Sequence, residues 1–197
     1  MPDPSSSVAY VFGYASLVAL PEQLAVEDAE HEPLPGWLRG FRRYWGAAMN
    51  NWEGGDAVKH FLDRETGERP RIRVAYLDVE PSEGSTVNGI AIPVDAERLA
   101  TLDAREINYS RVDVTAAFDR PLAGRVFTYV GLGAARERCR EGVAEGNAYV
   151  SRDYLAGVRR AFEQLAPDAL AEFDRATDPL PFPERDLRMV LPGRAGT

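Results

Sequence analysis

An α+β domain is what the chain predicts, and three patterns carry that expectation. Apolar positions alternate, or run unbroken, in the manner of strands from Val8 to Gly13, Ile72 to Val79, Val87 to Val94 and Arg125 to Val130. Apolar residues recur at helical spacing after Asp95 and after Ser151. The whole chain is 197 residues long, which suits one domain over residues 8–191 with flexible ends at 1–7 and 192–197.

The first strand stops abruptly at Gly13, and the turn that follows, Tyr14-Ala15-Ser16-Leu17, is built from small residues at its centre. Small side chains let the backbone come close to a ligand, and consecutive N–H groups in such a turn can cradle a carboxylate. Next, Pro21 to Pro35 reads as an acidic surface connection with about one helical turn. Gly36 to Met49 interleaves Trp, Phe and Tyr with Arg39, Arg42 and Arg43, and its aromatic content favours a strand. Asn50 to Arg71 carries turn signals at Gly54-Gly55 and Thr66-Gly67 and reads as a hairpin-like excursion.

Ile72 to Val79 and Val87 to Val94 are separated by Pro81-Ser-Glu-Gly-Ser85, so the two runs are expected to pair as a hairpin. Asp95 stands at the N-cap of a short helix whose face is Ala96, Leu99 and Leu102. Four residues beyond Leu102 that face reaches Glu106, a carboxylate at the inner edge of an apolar stripe. Arg111 to Phe118 alternates with Val112, Val114, Ala116 and Phe118 inward and reads as a further strand. Gly131 to Gly146 reads as a charged connection, and lacks the third glycine of a dinucleotide loop because residue 136 is Arg. Ser151 is expected to cap a helix with Tyr154, Leu155, Val158, Phe162 and Leu165 on one face, and Pro167 to open another containing Leu170 and Phe173.

Composition narrows the partners. With 31 acidic against 23 basic residues the net charge is −8, which disfavours nucleic acid and anionic membrane and makes the arginine-aromatic run a packed strand rather than a stacking platform. The apolar N-terminal run lacks a basic flank and is too short to span a bilayer, so a cytoplasmic protein is expected. The lone Cys139 excludes an internal disulfide and a cysteine-rich zinc site. His31 and His60, the two histidines, lack metal-ligand spacing and offer no base to Cys139 or to Ser16, so no metal, cofactor or nucleophilic triad is expected.

The order of these segments, with Tyr14-Ala15-Ser16-Leu17 after the first strand, REINYSRV after the short helix and AYVSRDYL at the later one, resembles the γ-glutamylcyclotransferase-like family from about Val8 to Phe162. The resemblance implies a small mixed β-barrel with packed helices. It also implies that Glu106 is the catalytic base, that Tyr14, Ala15, Ser16 and Leu17 hold the substrate, and that Tyr109 and Tyr149 line its pocket. Ala15 occupies the position of the family's usual glycine, which predicts a looser approach of backbone to ligand.

The activity so implied is cyclisation of a γ-glutamyl group to 5-oxoproline with release of an amine or amino acid. Its partner is a small γ-glutamyl molecule, and no cofactor takes part. A binding module of the same fold that has lost turnover is the alternative, motivated by Ala15.

Overall fold

The computed structural model describes residues 9–19, 32–55 and 58–191. The acidic connection expected over 21–35 lies mostly outside them. The sheet is organised around β1 (Ala9–Gly13), in which Val11 and Phe12 are fully buried. On one side β1 pairs antiparallel with β4 (Arg73–Val94), and on the other it pairs parallel with β6 (Val126–Gly131). The other strands are β2 (Leu34–Asn50), β3 (His60–Asp63), β5 (Tyr109–Asp113), β7 (Ala148–Ser151), β8 (Glu184–Arg185) and β9 (Leu187–Val190). Seven strands form a mixed sheet along the path β5-β6-β1-β4-β7-β8 with β2 on β4, while β3 and β9 pair separately. Among the described residues four helices accompany them, α1 (Ala96–Arg105), α2 (Gly133–Ala144), α3 (Arg152–Leu165) and α4 (Ala169–Arg175).

The α+β class is as expected, but the described strands do not close a cylinder. What joins β2 to the segment after β5 is an isolated bridge between Leu38 and Phe118, with the Asp119 N–H donating to the Trp37 carbonyl at 2.9 Å.

Where a hairpin was expected over Ile72 to Val94 there is one strand. Both runs lie end to end along β2, Asn50 facing Arg73 at one end and Leu34 facing Ala91 at the other. Arg39 faces Thr86 and Phe41 faces Pro81, so Ser82 to Ser85 bulge opposite Gly40. Gly40 and Gly84 take φ of +74° and +77°, which a side chain would resist. The turn residues thus make a bulge rather than a reversal, because β2 is long enough to satisfy both halves of β4.

Two further expectations give way nearby. The run from Arg111 to Phe118 stops being a strand at Asp113, whose Oδ1 accepts from the Thr115 N–H at 3.0 Å and the Thr115 hydroxyl at 2.6 Å, turning the chain into a 3-10 turn. Val114 and Phe118 are buried, but Val112 and Ala116 face solvent. The expected connection at Gly131 to Gly146 is instead the helix α2, packed on β2, with Ala135, Cys139 and Gly142 buried. A Cβ on Gly142 would stand 2.9 Å from the Ala148 Cβ, so glycine is what allows the close approach. Ser151 precedes α3 as expected, though its hydroxyl donates to the Leu187 carbonyl at 3.4 Å instead of capping the helix.

Candidate active site

The turn after β1 is shaped by two glycines. A Cβ on Gly13 would lie 2.9 Å from the Leu17 Cβ, and one on Gly89 of β4 would lie 2.2 Å from the Gly13 carbonyl oxygen. The chain therefore folds back tightly through Tyr14 and Ala15 into a 3-10 turn at Ser16–Ala19, with the Val18 N–H donating to the Ala15 carbonyl at 3.0 Å. Tyr14 is buried, Ala15 and Leu17 are half-buried, and Ser16 is exposed.

Behind this turn lies Arg43, which has no exposed surface. Its Nη1 donates to the carbonyls of Tyr14 at 2.8 Å and Asn88 at 3.1 Å, its Nη2 to Asn88 Oδ1 at 2.7 Å, and its Nε to Thr177 Oγ1 at 2.8 Å. The guanidinium lies over the rings of Phe173 and Phe162, at 4.2 and 5.0 Å from their centres. Loss of water pushes its pKa down to about 9. Its neighbour Arg42 points the other way, to Glu80 and Asp178. The sequence shows two adjacent arginines on a strand but not which of them turns inward.

Glu106 is placed by the end of α1. Its N–H donates to the Leu102 carbonyl at 2.9 Å and its carbonyl accepts from the Tyr109 N–H at 2.8 Å, so the residue sits at the helix C-cap with Leu102 buried beneath it. Burial raises its carboxyl pKa above the ordinary value, opposed first by the charge of Lys59 and then by that of Arg105. The carboxylate's field in turn reaches the phenols of Tyr14, Tyr76, Tyr109, Tyr129 and Tyr154, all held above the normal tyrosine range mainly by burial.

These phenols are tied to the sheet. Tyr14 donates to the Tyr129 carbonyl at 2.8 Å, Tyr109 donates to the Leu77 carbonyl at 2.9 Å, and the Tyr154 hydroxyl accepts from the Leu77 N–H at 3.3 Å. Beside them Asp78, fully buried, accepts from the N–H groups of Val79 and Gly131 at 2.7 and 2.8 Å and from Arg136 Nε at 2.8 Å. A buried carboxylate so fully supplied with donors is structural.

The charge of Glu106 thus reaches the phenols of Tyr14, from a distant part of the chain, and Tyr109. Tyr149, on β7, packs together with Tyr154 against the smaller cluster of Phe61, Ile72, Val74, Tyr76 and Leu187, with the Arg185 guanidinium 5.3 Å from its ring centre. Tyr154, whose place on the apolar face of α3 gave no hint of a polar role, is a further tyrosine of this region that feels the charge of Glu106. Lys59 and Arg43 also escaped the sequence reading. Elsewhere, the Cys139 thiol is buried, donates to the Trp45 carbonyl at 3.5 Å and is pushed up to about 11. Among the described residues no group of three or more His, Cys, Asp or Glu could hold a metal ion, and no helix is long and apolar enough to cross a membrane.

A half-buried carboxyl with a raised pKa can accept a proton from a bound ligand and return it. No family model matches the chain, and neither does any curated protein. Solved structures do. One described as a γ-glutamyl cyclotransferase shares 12% identity over 88% of this chain and 89% of its own, with a TM-score of 0.52. A human protein described as uncharacterized shares 13% identity over 89% and 90% of the two chains, also with a TM-score of 0.52. At such identities the likeness is one of architecture: this chain has the γ-glutamyl cyclotransferase fold.

Proposed function

We propose that the chain is a γ-glutamyl cyclotransferase-type enzyme, converting a small γ-glutamyl compound to 5-oxoproline and a free amine or amino acid. What supports this reading is Glu106, a half-buried carboxyl at the C-cap of α1 whose pKa is raised by burial, in a chain with the γ-glutamyl cyclotransferase fold.

The substrate holds its own nucleophile, so closure of a five-membered ring is intramolecular and much of the entropic barrier is met by the substrate itself. In the proposed sequence Glu106 takes a proton from the substrate's α-ammonium. The freed amine attacks the γ-carbonyl, forming the ring C–N bond and an oxyanion. The oxyanion then collapses to the lactam carbonyl and the bond to the departing nitrogen breaks as Glu106 returns the proton to it, and the second proton of the ring nitrogen passes by way of Glu106 to the released amine, which leaves as an ammonium. The N–H groups of the Tyr14 to Leu17 turn hold the α-carboxylate, with the exposed Ser16 hydroxyl as a further donor, and Tyr109 and Tyr154 line the reacting centre. Tyr149, packed with Tyr154 against the cluster that holds Tyr76, lines the same pocket in this reading.

Glu106→Gln keeps the shape of the side chain and removes the proton acceptor. Its 5-oxoproline release from a γ-glutamyl amino acid is expected to fall by roughly 10²–10⁴-fold. Wild-type turnover in a folded Gln variant would take the shuttle away from Glu106. Tight binding of the compound by the wild-type chain without any turnover would identify a binding module instead.

A further inference from the structure

The helix that ends at Glu106 meets the rest of the molecule through few side chains. Leu102 is the one buried residue of α1, with Leu99 half-buried against the core. The next residue, Asp103, is exposed, yet both of its carboxylate oxygens are committed to the sheet. Its Oδ1 accepts from the Tyr129 hydroxyl at 2.8 Å, and its Oδ2 accepts from Arg111 Nη1 at 2.9 Å. Arg111 on β5 and Tyr129 on β6 face each other across the antiparallel ladder, so one carboxylate spans two neighbouring strands. Arg111 is itself seated on the sheet, its guanidinium 5.0 Å from the centre of the Phe127 ring. Among the described residues these are the side-chain hydrogen bonds that tie α1 to the sheet.

Tyr129 makes a second tie. Its carbonyl accepts from the Tyr14 hydroxyl at 2.8 Å, and its ring is buried. One residue of β6 therefore holds the N-terminal turn through its backbone and the last turn of α1 through its side chain. Glu106 lies three residues beyond Asp103, less than one helical turn, and its backbone is fixed between α1 and β5 by the 2.9 Å bond to the Leu102 carbonyl and the 2.8 Å bond from the Tyr109 N–H. A single buried leucine is a pivot about which a short helix can turn. Two bonds from adjacent strands remove that freedom.

We infer that Asp103 is a positioning residue: by bonding Tyr129 and Arg111 it fixes the end of α1, and with it Glu106, relative to the Tyr14 turn. This inference rests on the proposed role of Glu106 as the proton shuttle. A shuttle has to reach the substrate's amine and then the departing nitrogen, and a misplacement of about 1 Å can lower the rate by about a hundredfold. The same contacts stabilise the fold little, because the Asp103 and Arg111 side chains are 40% and 33% exposed and water competes for them. Asp103 therefore matters more to turnover than to folding. It acts through Glu106 and takes no proton itself.

The test uses the full chain with γ-L-glutamyl-L-alanine, reads 5-oxoproline, and compares Asp103→Ala in the wild-type and in the Glu106→Gln background. In the wild-type background kcat is expected to fall by about 10–100-fold, with KM within about twofold and the unfolding midpoint nearly unchanged. Tyr129→Phe removes one hydroxyl and keeps the carbonyl that holds Tyr14. It is expected to give part of the same loss, and the double variant Asp103→Ala/Tyr129→Phe to lose no more than Asp103→Ala alone. In the Glu106→Gln background Asp103→Ala costs nothing further, since no proton acceptor is left to misplace. An unchanged kcat, a loss carried by KM, or an equal fold-loss in both backgrounds overturns the inference and leaves the cyclotransferase reading standing. Should Asp103→Ala not fold, Tyr129→Phe carries the same comparison in both backgrounds. Failure of the wild type to form 5-oxoproline overturns the cyclotransferase reading, and the inference with it.

Discussion

Arg43 Nη1 donates to the carbonyl oxygen of Tyr14 at 2.8 Å from a guanidinium with no exposed surface, so the N-terminal turn is held from behind by a cation on β2. Arg43→Met would leave that carbonyl, Asn88 Oδ1 and Thr177 Oγ1 without their donor, while relieving the cost of burying the charge. Unpaired buried acceptors outweigh that relief, and a net loss of about 1–3 kcal/mol is expected in denaturant unfolding. KM for the γ-glutamyl compound should rise as the turn loosens. An unchanged unfolding midpoint would mean that the guanidinium stabilises nothing beyond its own place.

Glu106 should leave a mark on stability as well as on turnover. Its carboxyl pKa is higher folded than unfolded, where the ordinary value is 4.5, so the folded state binds the extra proton. Its contribution is then fully favourable below that unfolded value and is lost as pH rises through the folded one. Relative to Glu106→Gln, the wild type should lose stability between mildly acidic and neutral pH. Parallel pH-stability curves for the two proteins would show that Glu106 is not held in its neutral form by the fold.

Cys139→Ala and a chelator should both leave turnover in place. The thiol is buried with its pKa pushed up to about 11, so little thiolate exists at neutral pH. Inactivation by EDTA would point to a metal held by scattered carboxylates and would require a different chemistry from the one proposed.

The legible parts of the chain were those whose pattern is local. The run ending at Gly13 and the Asp95 cap, whose Oδ1 accepts from the Arg98 N–H at 2.7 Å, announce β1 and α1 outright, and together they place Tyr14 and Glu106. Helix α2 was hidden because its buried positions are Ala135, Cys139 and Gly142, too small to draw an apolar stripe. The bulge in β4 was hidden because Pro81 to Ser85 carry the residues of a reversal, and only the length of β2 decides otherwise. Tertiary placement hid the rest of the site. Nothing local distinguishes Arg43 from Arg42, or marks Tyr154 as a phenol that feels the charge of Glu106.

The most direct measurement of the central claim is the product formed from a γ-glutamyl amino acid and from the same compound acetylated on its α-nitrogen. If the substrate supplies the nucleophile, the free amine yields 5-oxoproline and the acetylated compound, whose nitrogen lone pair is delocalised, yields nothing. An enzyme that activates water would accept both and release glutamate or its acetyl derivative. The account predicts 5-oxoproline from the free amine alone; free glutamate, or comparable turnover of the acetylated compound, would contradict it and recast Glu106 as the base of a hydrolase.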